Sequence, residues 1–208
     1  MNTLSTRWSF LIVLLLLTVD SGELMAIEEA KYSVIEQAGD IELREYSSSI
    51  VAETLIEDDF EDAGSRAFRP LFKYISGDNE TNDEIAMTSP VSQRKTSEKI
   101  AMTAPVSQQS SDDGWLVSFM MPASYTMSTI PKPTNPDVRI REIPAFRAAT
   151  IRFSGRWTEK NYREHLGELQ AWIEQNELTI TGEPIWARYD PPFKPWFMRR
   201  NEILIPVS

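Results

Sequence analysis

Ile100-Ala101-Met102-Thr103-Ala104-Pro105-Val106-Ser107-Gln108 restates, fifteen residues on and with one Ser-to-Ala change, Ile85-Ala86-Met87-Thr88-Ser89-Pro90-Val91-Ser92-Gln93. Two copies are too few for a solenoid, which needs three or more stacked units to bury a continuous core. The stretch is therefore a local element doubled inside one domain. In each copy an apolar run meets a Thr-x-Pro step. The residue before a proline prefers extended backbone, and the proline has no N–H for a ladder. An edge strand or strand end is predicted, leading past a polar loop at residues 109–114 into the apolar strand Trp115-Leu116-Val117-Ser118-Phe119-Met120-Met121, which Pro122 ends.

Upstream, residues 32–36 and 41–46 alternate in polarity about Ala38-Gly39-Asp40, which predicts a hairpin, with residues 49–57 as a third run beside it. At Asp58 the period changes. Phe60, Ala63, Ala67, Phe68, Leu71, Phe72 and Ile75 recur at helical spacing, Asp58 or Asp59 can cap the start, and Gly77 suits the position after the end. Pro70 predicts a kink or split near Arg69. A polar loop follows at residues 77–84.

Downstream, residues 123–136 carry Pro131, Pro133 and Pro136 and read as an extended connector. Residues 138–143 and 146–154 read as a β-pair broken at Pro144. Residues 158–176 form a helix with Thr158 as N-cap and Tyr162, Leu166, Leu169 and Ile173 along one face. Residues 184–189 and 202–207 close the chain as strands. Strands, one helix and strands, given twice, predict an α+β fold: a distorted antiparallel β-barrel made of two pseudo-repeats, not a doubly wound parallel sheet.

With 208 residues, 41% of them apolar, the chain can bury a real core. Its net charge of −10 repels polyanions, so nucleic acid is not an expected partner. There is no cysteine, which excludes disulfides, thiolate metal sites and cysteine nucleophiles, and the one histidine, His165, cannot form a histidine-rich metal centre. Arg7 precedes a leucine-rich apolar run at residues 8–19, too short to span a bilayer and fitting the core of a secretory signal. Residues 1–26 are therefore read as a signal peptide or an uncleaved N-terminal anchor, and residues 27–208 as a single domain. The expected location is exported, periplasmic or envelope-associated, with membrane contact only through an uncleaved prefix.

Few side chains suggest chemistry. His165 lies one step off the apolar face of its helix and reads as a half-exposed helix histidine. Met87, Met102, Met120, Met121, Met127 and Met198 suit either a core or an irregular apolar pocket. The pairs Asp58-Asp59 and Asp112-Asp113 sit in polar loops, and no phosphate loop, nucleophile elbow or zinc-helix motif occurs. Tyr189-Asp190-Pro191-Pro192-Phe193-Lys194-Pro195-Trp196-Phe197-Met198-Arg199-Arg200-Asn201-Glu202 stands out as a stiff aromatic loop edged by cations. It suits a flat anionic ligand, although its Arg-Arg-Asn-Glu end reads more readily as a structural polar network.

The run at residues 100–106, Val117-Ser118-Phe119-Met120-Met121-Pro122, Tyr189-Asp190-Pro191-Pro192 and Arg199-Arg200-Asn201-Glu202 together resemble the SOUL/heme-binding protein family. So do the hairpin at residues 32–46 and Tyr74-Ile75-Ser76-Gly77-Asp78-Asn79. The resemblance covers about residues 28–207. It implies a twisted barrel similar to bacterial effector-binding domains of the GyrI type, which binds heme or a related tetrapyrrole in a shallow apolar groove beside the first helix, without catalysis. Lys73 and Lys194 would pair with the propionates while Phe68 and Phe72 cover the ring. The iron-ligating histidine of one family branch has no counterpart in the N-terminal half here, so contact through the porphyrin face is expected instead of coordination. The other readings are an envelope binding module for another apolar ligand or a protein partner, and an enzyme, which would need a buried Glu near a Tyr or His165.

Overall fold

The computed structural model describes residues 27–81 and 97–208. The expectations for residues 1–26, and for the first Ile-Ala-Met-Thr copy with its Met87, lie outside the described residues. Tyr32–Ala38 (β1) and Ile41–Tyr46 (β2) form the predicted hairpin about Gly39, whose φ is 64°. Ser49–Ile56 (β3) leads into the helix Phe60–Ile75 (α1), and Asn79–Glu80 (β4) follows. Then come Val106–Ser111 (β5), Gly114–Met120 (β6), Lys132–Pro133 (β7), Arg139–Ile143 (β8) and Phe146–Phe153 (β9). The helix Glu159–Gln175 (α2), Ile185–Arg188 (β10), a 3-10 turn at Trp196–Met198 and Asn201–Pro206 (β11) complete the chain.

Nine strands form one antiparallel sheet in the order β1-β2-β9-β11-β10-β5-β6-β3-β8. Each repeat is strand, strand, helix, strand, strand: β2, β3, α1, β5, β6 and then β8, β9, α2, β10, β11. The two halves meet at the β5–β10 pair, and they exchange their leading strands. β2 pairs with β9 of the other repeat and β8 pairs with β3. This corrects two expectations at once: β3 does not lie beside the first hairpin, and β8 and β9 do not pair with each other.

The exchange also forces the sheet to curl. Only Ser47 and Ser48 join β2 to β3, and only Pro144 and Ala145 join β8 to β9. Two linking residues bridge about 11 Å at most between the strand ends. Strands near opposite ends of a nine-stranded sheet can be that close only if the sheet rolls into a half-barrel, which is the α+β architecture expected.

Period-two alternation then sorts the side chains. Ala52, Val117 and Phe119 pack on Ala67, Leu71 and Tyr74 of α1, whereas Leu43, Ala149, Ile151, Ile203 and Ile205 pack with Leu169 and Ile173 of α2. Phe60, the first residue of α1, belongs to the α2 core, stacked on Trp186 at 4.7 Å and edge-on to Trp115 at 5.2 Å. Both helices thus cover one face of the sheet.

Helix α1 runs unbroken through Pro70, without a split near Arg69. Its end is a Schellman turn: the Asp78 amide donates to the Lys73 carbonyl, the Gly77 amide donates to the Tyr74 carbonyl, and Gly77 adopts a φ of 115°. Thr158 caps α2 as expected, its hydroxyl accepting from the Asn161 amide at 3.3 Å. Two loops are more ordered than the sequence suggested. The residues after Val106 continue as strand to Ser111 and turn tightly into β6, and the connector contributes β7, paired with β4. Its Pro131 carbonyl also accepts a bond from the buried Tyr74 hydroxyl at 2.8 Å.

Candidate functional site

Three surfaces of the described residues could receive a ligand. The first is the inside of the curl, on the sheet face away from the helices. It is a cleft of about 490 Å³ lined by Val51, Leu116, Met120, Ile185 and Leu204, with Ser49, Ser107 and Ser118 as its hydroxyls. Both crossing links border it through Ser47 and Pro144. Its size falls within the ordinary range for small-molecule pockets.

Beneath the cleft lies a buried polar network. Glu202 is fully buried and accepts from Arg44 (2.8 and 3.3 Å), Arg200 (3.0 Å) and the Tyr189 hydroxyl (3.0 Å). Arg44 also donates to the Tyr46 hydroxyl at 2.9 Å. Burial alone would lower the Arg44 pKa, but the bond to Glu202 and the neighbouring charges leave it raised. Burial pushes the Tyr46 phenol up to about 12, against the pull of Arg44. Asn201, next in the same run, accepts from the Trp157 indole at 2.8 Å. The Arg-Arg-Asn-Glu segment is thus a structural network, the plainer of the two readings. A Glu beside a Tyr is present, as an enzymatic reading would require, yet both its oxygens are already engaged by guanidiniums.

The second surface is the outer face of α1. Phe68 and Phe72, one helical turn apart, are 42% and 44% exposed and stack at 5.4 Å with their planes 13° apart. Phe68 also meets Phe119 edge-on at 5.5 Å, which fixes its position on the sheet. Lys73, which directly follows Phe72, is exposed, and Arg69 stands four residues before it in a neighbouring row. Arg69 was not singled out from the sequence, although the i, i+4 spacing that pairs Phe68 with Phe72 pairs it with Lys73.

The third is the C-terminal loop, which borders a polar hollow of about 520 Å³. Lys194 belongs here. It donates to Asp190 at 2.7 Å, and no hydrogen bond, ion pair or ring contact among the described residues joins it to Phe68, Phe72 or Lys73. Burial would raise the Asp190 carboxyl, but the Arg200 amide and the Lys194 ammonium hold it below the usual carboxylate range. The structure therefore groups three of the four expected binding residues on α1 and sets the fourth on a separate element.

His165 is half-buried on α2, stacked on Phe153 at 4.0 Å, with Nδ1 bonded to the Asn161 carbonyl at 2.8 Å. It borders none of the three surfaces. Among the methionines, Met120 and Met121 are buried, and Met102, Met127 and Met198 are exposed. No group of metal-ligating side chains occurs among the described residues.

The fold recurs in solved structures of low identity. The C-terminal domain of EcmrR superposes with a TM-score of 0.56 at 16% identity, over 85% of this chain and 98% of that one. A hydrolase from Listeria innocua gives 0.54 at 12%, over 84% and 94%. In sequence, the chain is 29% identical to heme-binding protein 1 of Mus musculus over 149 residues, 69% of this chain and 70% of that protein. To heme-binding protein 1 of Xenopus tropicalis it is 26% identical over 163 residues, 78% and 80%. The SOUL heme-binding protein family pattern matches residues 27–206, essentially the whole described fold, so this chain belongs to that family.

Proposed function

We propose that this chain binds heme or a related tetrapyrrole on the outer face of α1, without histidine coordination and without catalysis. The observation that carries this reading is the exposed, stacked Phe68–Phe72 pair beside the cationic row Arg69–Lys73. The exposed rings offer aromatic surface for a macrocycle to stack against, and the adjacent cations suit its propionates. His165 stands on α2, away from the α1 face, so ring contact is favoured over ligation. Engagement of Glu202 by two guanidiniums favours binding over acid–base chemistry. An exported setting is supported by the apolar run at residues 8–19.

Hemin titration tests this. A saturable Soret change is expected, weakened about tenfold by Phe68→Ala with Phe72→Ala and about two- to fivefold by Lys73→Glu, with His165→Ala unchanged. The concave cleft supports a second reading, a site for a different apolar ligand. If hemin binding is lost on filling the cleft with Ser118→Trp and is indifferent to the α1 variants, the first reading fails.

A further inference from the structure

The 3-10 turn and its flanks hold an unusual amount of apolar surface in solvent. Phe193 is 87% exposed, Trp196 48%, Phe197 61% and Met198 58%. A contiguous exposed apolar patch marks an interaction surface. This one is not a floppy tail. Pro191, Pro192 and Pro195 stiffen the backbone, Arg199 donates to the Pro192 and Lys194 carbonyls, and the Gly155 amide donates to the Trp196 carbonyl at 3.1 Å. The aromatic side chains are held outward by a loop already in its final shape, so docking costs little ordering entropy.

The arrangement is poorly suited to a flat ligand. Trp196 and Phe197 meet edge-on, 87° apart, and Arg156 lies over the Trp196 ring at 5.4 Å. Around the rings cations outnumber acids, although Lys194 is paired with Asp190 and Arg200 with Glu29 and Glu202. Arg156 and the exposed Arg152 have no carboxylate partner among the described residues, and Lys194, Arg199 and Arg200 stand beside them, with Asp190, Glu29 and Asp40 as the acids of the same hollow. In a chain of net charge −10 this is a local excess of cations, left by the unpaired Arg152 and Arg156. An anionic surface would repel the rest of the molecule and admit only this end, aromatic tips first. Tryptophan and phenylalanine tips ringed by Arg and Lys are the composition of an interfacial membrane anchor.

We propose that residues 193–198 dock this protein onto anionic lipid bilayers, Phe193 and Phe197 entering the acyl boundary while Arg152 and Arg156 meet lipid phosphates. A two-fold dimer through this patch would set the two cationic ends against each other, which makes an anionic lipid surface the better occupant than a second copy. The site is separate from the α1 face, so the two can fail independently.

The chain has no cysteine, so Phe193→Cys or Phe197→Cys takes a single environment-sensitive fluorophore, and Glu36→Cys on β1 gives a control position. The full chain is mixed with vesicles of phosphatidylglycerol plus phosphatidylcholine, or of phosphatidylcholine alone, after circular dichroism confirms the fold. We expect a blue shift at 193 and 197 with the anionic vesicles only, silence at 36, and an affinity about fivefold lower with Arg156→Gln. Silence at both loop positions on anionic vesicles overturns the proposal, whatever the N-terminal segment does. So does an equal shift at position 36. A loop shift without vesicles that grows with protein concentration assigns the patch to a second copy and also overturns it.

Discussion

Glu202 shows how a single side chain sets a local hierarchy. It sits where water does not reach, and its charge is tolerated because Arg44, Arg200 and Tyr189 supply its hydrogen bonds. Removing one member of such a cluster strands the others, so Glu202→Gln should cost about 3–5 kcal/mol, read as a lower urea midpoint. Gly64 is fixed by a different neighbour, since a Cβ there would lie 2.5 Å from Nη1 of the buried Arg188. Arg188 is bonded to Gln108 at 2.7 Å, and burial lowers its pKa to about 10. Gly64→Ala should therefore destabilise by about 1–3 kcal/mol. Tyr162 supplies a pH signature. Burial, with Glu183 adding, pushes its phenol from 10.0 to about 12, so the folded state holds a proton that the unfolded state has lost. That stability is intact below pH 10 and disappears as pH rises toward about 12. Urea midpoints measured across this window should fall less steeply for Tyr162→Phe than for the parent chain.

At the scale of elements, α1 carries both an exception and a function. A proline inside a helix removes one hydrogen bond and crowds the preceding turn, yet α1 continues through Pro70 because Ala67, Leu71, Tyr74 and Ile75 are buried on both sides of it. Packing overrides the local preference without abolishing its cost. Pro70→Ala should accordingly raise stability by up to about 3 kcal/mol, measurable as a higher urea midpoint with unchanged far-ultraviolet dichroism. The helix periods, the hairpin about Gly39 and the caps at Gly77 and Thr158 were legible because each depends on residues within one or two turns. Strand partners were not. The links after Tyr46 and Ile143 look like turns of local pairs, but each carries the chain to the other repeat, and nothing in the alternation of β2, β3, β8 or β9 names the partner.

For the molecule as a whole, the curled sheet separates two surfaces, helices outside and cleft inside, and a ligand must choose between them. Hemin bound only by the folded state, at about a hundredfold above its dissociation constant, should stabilise that state by about 2.7 kcal/mol. For a chain of this size that is roughly a 5–10 °C rise in Tm. The rise should persist in Ser118→Trp and disappear with Phe68→Ala plus Phe72→Ala, as thermal denaturation would show. Of the four residues expected to bind, Phe68, Phe72 and Lys73 could be grouped in advance because helical spacing puts them within two turns of α1, whereas Lys194 is far along the chain and only folding shows it held by Asp190. Its loop was recognisable as stiff, aromatic and cationic, yet the exposure of Phe193 and Phe197, on which docking to a bilayer depends, is a tertiary fact. Composition, period and motif order were enough to determine the α+β class, the two repeats, both helices and the family, because these are set by neighbours along the chain. The exchanged strands, the cleft they enclose and the burial of Glu202 were decided only by the tertiary structure, because each arises where segments of the two repeats, far apart along the chain, close on one another.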